Sequence, residues 1–158
     1  MTNKEALARL MKICSMQEKC VADIKLKLKS WKIDARQTDE IVKYLVANRF
    51  VDEQRYSGSY ANDKFRLNGW GKTKIAYALK MKGIEEEIIR SALQKIDDDN
   101  YEQTLRGLLQ KKMKTIKTGN ILLLKQKLFR FAATKGYETE TINHAIRLLG
   151  LKGNKDGY

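Results

Sequence analysis

Proline is missing from all 158 residues. Proline interrupts helix interiors and punctuates strand-and-turn folds, so its absence beside abundant Leu, Ile, Lys, Ala and Glu favours helix throughout. Histidine occurs once, as His144, and cysteine twice, as Cys14 and Cys20. One histidine leaves a His-based metal site or a Ser-His triad short of parts. His144 also falls off the apolar face made by Ile142, Ala145, Ile146 and Leu149, which is an exposed helical position. Two cysteines supply neither a metal quartet nor a disulfide scaffold for a chain of this length, and both read as small buried hydrophobes. Long apolar runs are also lacking. The longest, Ile75 to Leu79, has five residues, against the ~20 that a membrane helix needs. The opening MTNKEALARL has no signal-peptide core. The expected address is the cytoplasm, with no membrane partner.

The last absence is local: acidic residues vanish from two long stretches. Between Lys64 and Ile84 stand six basic residues, among them Lys64, Arg66, Lys72 and Lys74, with no Asp or Glu. Between Arg106 and Lys135 stand nine, including Lys111, Lys112, Lys114, Lys117, Lys125, Lys127 and Arg130, again with no acid. Lysines that merely solvate helix faces are normally mixed with glutamates. Thirty-two basic against nineteen acidic residues give a net charge of +13, with an isoelectric point near 9.7. A polyanionic partner follows, nucleic acid or nucleoprotein.

Two motifs suggest chemistry and fail on spacing. GWGKTK, Gly69 to Lys74, resembles the end of a phosphate-binding loop, but G-x-x-x-x-G-K-[ST] needs a glycine where Arg66 stands. The polar segment before it is no buried strand. The glycines therefore read as a turn, after which Lys72 and Lys74 begin a helix with their charge outward. The acidic DDDN, Asp97 to Asn100, reads as a solvated linker and helix cap rather than a metal site. No catalytic residue, metal or cofactor is assigned.

What the chain does contain is a repeat. KIAYALKMKGIEEEIIRSAL, from Lys74, lies over KLFRFAATKGYETETINHAI, from Lys127, at a constant offset of 127 − 74 = 53. A fainter copy precedes them, with Ile24, Leu28 and Ile33 in register with Ile75, Leu79 and Ile84. Each later copy is an amphipathic run closed by glycine, Gly83 or Gly136, which suits a left-handed helix cap. An acidic first turn then faces the positive end of the next helix dipole. Lys32 replaces the glycine in the first copy, so a different turn is expected there. Ser15 with Glu18 is expected to form the capping box of the first copy's middle helix. A further helix precedes each pair, near Lys4 to Ile13, Asp52 to Leu67 and Tyr101 to Lys114. Tyr56 and Tyr60, four apart in the second of these, read as core packing rather than a base-stacking platform. The fold class expected is all-α: nine helices in three tandem three-helix repeats, 1–50, 51–97 and 98–150, stacked into an elongated, curved array with a loose tail at 151–158.

With the repeats in place, Asn48 to Ile84 resembles the RecX family of regulators of the RecA recombinase. The carrying residues are Phe50, Val51, Asp52, Glu53, Arg55, Tyr56, Lys64, Arg66, Gly71, Lys74, Ile75, Leu79, Lys82, Gly83 and Ile84. The likeness extends over roughly residues 5 to 150 through the triple repeat and an upstream S-x-x-E segment. Ser57 and Gly58 depart from the family's usual alanine and helix former. The resemblance implies a non-enzymatic monomer that lies in the groove of the RecA filament on DNA. It would restrain RecA's ATPase, strand exchange and filament growth in recombination, DNA repair and the SOS response. The RecA filament is then the protein partner, and single- or double-stranded DNA meets the basic surface. The alternative is a non-specific or helix-turn-helix-type DNA-binding protein, although GKTKIAYALKMK is poor in the amide side chains that read bases.

Overall fold

The computed structural model describes residues 1–152, so residues 153–158 of the expected tail lie outside the described residues. Nine helices and no strand occur among the described residues. They are α1 (Asn3–Met16), α2 (Val21–Ser30), α3 (Ala35–Ala47), α4 (Glu53–Asn68), α5 (Lys72–Met81), α6 (Glu86–Gln94), α7 (Asp98–Met113), α8 (Ile121–Thr134) and α9 (Thr139–Leu148). The all-α expectation holds, and the three anticipated leading helices are α1, α4 and α7.

The repeated turn is a Schellman closure in all three copies. Gly83 (φ 76°) and Gly136 (φ 96°) are left-handed, and so is Lys32 (φ 60°). In each, the residue after the cap donates back five positions: Ile33 to the Leu28 carbonyl (3.0 Å), Ile84 to that of Leu79 (3.2 Å), Tyr137 to that of Ala132 (3.1 Å). These bonds satisfy carbonyls that a helix end otherwise leaves bare. The expectation of a different first turn is therefore corrected. The paired backbone bonds and the apolar residue after the cap hold Lys32 in a conformation its Cβ disfavours. Arg49 (φ 61°) closes α3 in the same way, with Phe50 donating to the Leu45 carbonyl at 2.9 Å.

The capping box expected at Ser15 is also corrected. Cys14 continues the buried face of Ala6 and Leu10, so α1 runs past Ser15, whose hydroxyl donates to the Lys12 carbonyl within the helix (2.6 Å). α2 begins instead after Cys20, whose N–H donates to the Asp23 carboxylate at 3.3 Å. A capping box does stand at the start of α1. The Glu5 N–H donates to the Thr2 hydroxyl and the Thr2 N–H to the Glu5 carboxylate, both at 3.1 Å. Asp97 caps α7 by accepting from the Asn100 N–H at 2.9 Å, as DDDN suggested.

The chain forms two compact units. The first comprises Met1–Tyr60 and Ala78–Ala92. Its core gathers Leu10, Cys14, Ile24, Leu28, Ile41 and Leu45 from α1 to α3, with Val51 closing it. Both cysteines are buried and unpaired, as expected. Tyr56 is buried too, with the Tyr60 ring 5.8 Å away, which is packing rather than an open platform. Arg55 locks the start of α4, donating to Glu18 (2.6 Å) and to the Arg49 carbonyl (3.1 Å), while Asp52 accepts from the Gln54 and Arg55 N–H groups. Lys82 donates to Asp23 at 2.5 Å. Burial works to raise the Asp23 carboxyl, but the hydrogen bonds from Lys82 and Cys20 outweigh it and hold it below the usual carboxylate value.

The second unit comprises Ala61–Tyr77 and, among the described residues, 93–152. α7, α8 and α9 pack on one another around Leu105, Leu109, Leu128 and Ile142, each at most 1% exposed. The Phe65, Tyr101 and Tyr137 rings form a tilted stack, with centroids 5.7 and 5.0 Å apart. His144 lies exposed on α9.

Candidate functional site

The site is framed by how GWGKTK is held within the second unit. Gly69 (φ 67°) ends α4. The first N–H groups of α5, orphans in any helix, are met by the turn between α8 and α9. Gly71 N–H donates to the Lys135 carbonyl (2.8 Å) and Thr73 N–H to that of Gly136 (3.0 Å). Lys72 N–H donates to the Tyr101 hydroxyl (2.8 Å), which itself donates to Glu138. The Tyr137 hydroxyl donates to the Gly69 carbonyl at 3.1 Å. Burial, and then the Glu138 carboxylate, push the Tyr101 hydroxyl far above its ordinary value, so it stays a donor. A Cβ on Gly71 would sit 2.4 Å from the Gly136 carbonyl carbon and oxygen, and one on Gly136 would sit 2.2 Å from the Lys74 Cβ. The two glycines let backbone meet backbone. The lysine and threonine of the motif thus serve a helix junction.

This junction brings Lys74 beside the end of α7, the loop after it and the C-terminal half of α8. Together they line a cleft of about 620 Å³. Six cations stand around it: Lys74, Lys112, Lys117, Lys127, Arg130 and Lys135. Thr115, Ile116, Phe131 and Thr134 complete the wall, and no acidic side chain is among the lining residues. Lys112 Nζ lies 5.3 Å from the Phe131 ring centroid, and Lys74 Nζ 4.6 Å from that of Trp70. Lys135 also donates to the Asn68 carbonyl at 3.1 Å, completing the end of α4.

Of the residues anticipated from sequence, the cleft thus gathers Lys74, Lys112, Lys117, Lys127 and Arg130. Lys125 faces a different groove of about 310 Å³, shared with Phe129, Asn143 and Arg147. Arg66, Lys111 and Lys114 are exposed but line neither cleft. Lys64 is half-buried, its Nζ 4.8 Å from the Trp70 ring. Lys72 does not point outward as expected. Its Nζ lies 4.8 Å from the Tyr101 ring and 3.7 Å from Asp98, drawn in by the ring face and the carboxylate. Lys135, Thr115 and Thr134 were not singled out from the sequence. The repeat alignment offered one signal, since Lys135 matches Lys82, yet the two have diverged in role. Lys82 is spent on Asp23, whereas Lys135 lines the cleft.

Comparison with known proteins settles the family. Residues 52–93 match the RecX second three-helix domain and residues 99–146 the RecX third three-helix domain. The chain belongs to the RecX family. Regulatory protein RecX of Clostridium beijerinckii is 33% identical over 146 residues, covering 91% of this chain and 66% of the relative. That of Clostridium perfringens (strain 13 / Type A) is 34% identical over 110 residues, covering 68% and 51%. The chain therefore spans about half to two thirds of the length of these RecX relatives. A crystal structure of regulatory protein RecX superposes with a TM-score of 0.84 at 23% identity, over 92% of this chain and 71% of the other. RecX from Lactobacillus salivarius superposes at 0.81 with 21% identity, over 95% and 97%. Both show the shared fold. The family is one of regulatory proteins, and among the described residues no helix is long and apolar enough to cross a membrane.

Proposed function

We propose that the chain binds the RecA filament assembled on DNA and restrains it, slowing ATP hydrolysis, strand exchange and filament growth in recombination and DNA repair. It acts as a cytoplasmic monomer with no catalytic residue or cofactor of its own, built from repeats bounded at 50/51 and 97/98. The observation that carries this reading is the acid-free cleft ringed by six cations in a chain of a regulatory family. Such a surface gains steering and counterion release from many lysines at once. The contacts centre on the cleft residues, while the flanking Lys64, Arg66, Lys111, Lys114 and Lys125 add long-range steering rather than direct contact, with Lys72 left to the junction. Restraint then needs only differential binding. A tenfold preference for a slow or end-exposed filament state shifts that equilibrium by about 1.4 kcal/mol.

The test is RecA-dependent ATP hydrolysis on single-stranded DNA, titrated with the chain from sub-stoichiometric to equimolar ratios, beside DNA binding without RecA in the same salt. Inhibition well below the concentration that coats bare DNA is the expected result. Inhibition that appears only once the DNA is saturated would make the chain a basic DNA-binding protein instead.

A further inference from the structure

The cations of the cleft come from separate elements and face one space. Lys74 stands on the first turn of α5, Lys112 near the end of α7, Lys117 on the following loop, and Lys127, Arg130 and Lys135 along α8 and just past it. The aromatic surface is already engaged. Lys112 stands over the Phe131 ring and Lys74 over that of Trp70, so an entering base meets ammonium groups where a stacking protein would offer a ring face. Apolar lining is limited to Ile116 and Phe131, with no row of pockets for the anchors of a docked helix. Five of the six cations are lysines. They act as compact point charges, each able to meet a phosphate without the fixed fork geometry of a bidentate arginine contact. Thr115 and Thr134 add hydroxyls of the kind that donate to phosphate oxygens.

We infer that this cleft is a phosphodiester site: it takes the sugar–phosphate backbone of a nucleic-acid strand, with the bases turned away and sequence unread. The inference rests on the reading above, that the basic surface meets DNA in the filament, and names what that surface holds. It makes binding electrostatic. Each phosphate contact on a single strand contributes about 0.7 to the slope of log affinity against log salt.

The experiment measures fluorescence anisotropy of a labelled oligothymidylate, an abasic oligomer of the same length and a poly-glutamate of the same charge, each across a salt series. The full chain is compared with Lys112→Gln/Lys127→Gln/Arg130→Gln. A charge-matched control, Arg66→Gln/Lys111→Gln/Lys114→Gln, alters exposed residues outside the cleft. All six side chains are exposed, and unchanged helicity and melting confirm folding. The abasic oligomer is expected to bind within about threefold of the oligothymidylate, since a stacked base would be worth roughly fivefold or more. The cleft variant should lose about 2 from the salt slope, the control less than half of that, and poly-glutamate should bind at least about tenfold more weakly than the oligothymidylate. A stacking-sized loss on the abasic strand, equal slopes in variant and control, or poly-glutamate binding as tightly as DNA would each overturn the inference; the last would point to an acidic protein surface. Because RecA is absent, these outcomes are separate from those of the ATPase titration.

Discussion

Lys32 occupies a backbone conformation that the other two repeats give to glycine, and this difference is measurable. A left-handed residue with a Cβ costs about 1–2 kcal/mol, and glycine returns about 0.5–1 kcal/mol of that through its greater freedom when unfolded. Lys32→Gly should therefore stabilise the chain by about 0.5–1 kcal/mol, read as a higher urea midpoint at unchanged slope. A midpoint that does not rise would mean that the lysine side chain makes an offsetting contribution. The converse substitutions separate strain from crowding. At Gly83 an added Cβ meets nothing within 4 Å, so Gly83→Ala should cost only the backbone term, about 1 kcal/mol. At Gly136 the added atom would fall 2.2 Å from the Lys74 Cβ and 2.7 Å from its nitrogen. Gly136→Ala should cost about 2–4 kcal/mol, the same term plus overpacking. Equal costs at the two sites would show that the α8–α9 turn yields easily.

At the level of elements, the resemblance motif proves to be largely corner chemistry. Asp52 caps α4, Arg55 ties it to Glu18 and to the carbonyl of Arg49, Val51 closes a core, and Gly71 admits the α8–α9 turn. Gly71→Ala would force the Gly136 carbonyl away and break the bonds from Gly71 and Thr73 that satisfy the start of α5. A loss of about 3 kcal/mol is expected. Hydrogen exchange should show the Thr73 amide, and Lys74 beside it, losing protection first. Exchange unchanged at Thr73 would mean that the junction is not what seats the helix. This element also marks the limit of the sequence. Helix positions, glycine caps and the buried cysteines were legible because they depend on neighbours three to five residues away. The capping box at Ser15 misled because Cys14, one position earlier, had already committed α1 to continue. The inward Lys72 and the partnering of Gly71 with Gly136 were not legible, because both depend on residues well outside the local sequence window: Asp98 and Tyr101 for Lys72, and the α8–α9 turn for Gly71.

For the molecule as a whole, the net charge of +13 overstates what any partner meets. Stretches without acids in sequence are not without acids in space, since Lys82 is paired with Asp23 and Lys72 lies near Asp98. What remains concentrated is the ring of cations in the second unit, and there neighbouring residues part company. Lys125 and Lys127 are two apart on α8, yet Lys125 faces the groove of Asn143 and Arg147, whereas Lys127 faces the cleft with Arg130. Reversing charge should expose that division. Lys127→Glu/Arg130→Glu places carboxylates among four remaining cations. Under the proposed restraint of RecA, it should raise the concentration for half-maximal inhibition of the RecA ATPase by about tenfold or more at low salt, since it changes a charge sum at a shared contact. Lys125→Glu, changing charge outside the cleft, should cost only a few-fold, about what long-range steering is worth at a Debye length of ~10 Å. The gap between the two variants should narrow as salt rises through 0.1 M and beyond, where the Debye length falls below ~10 Å. Were Lys125→Glu as damaging as the double reversal, the effective surface would be the whole basic face, and the cleft would have no privileged part in holding the filament.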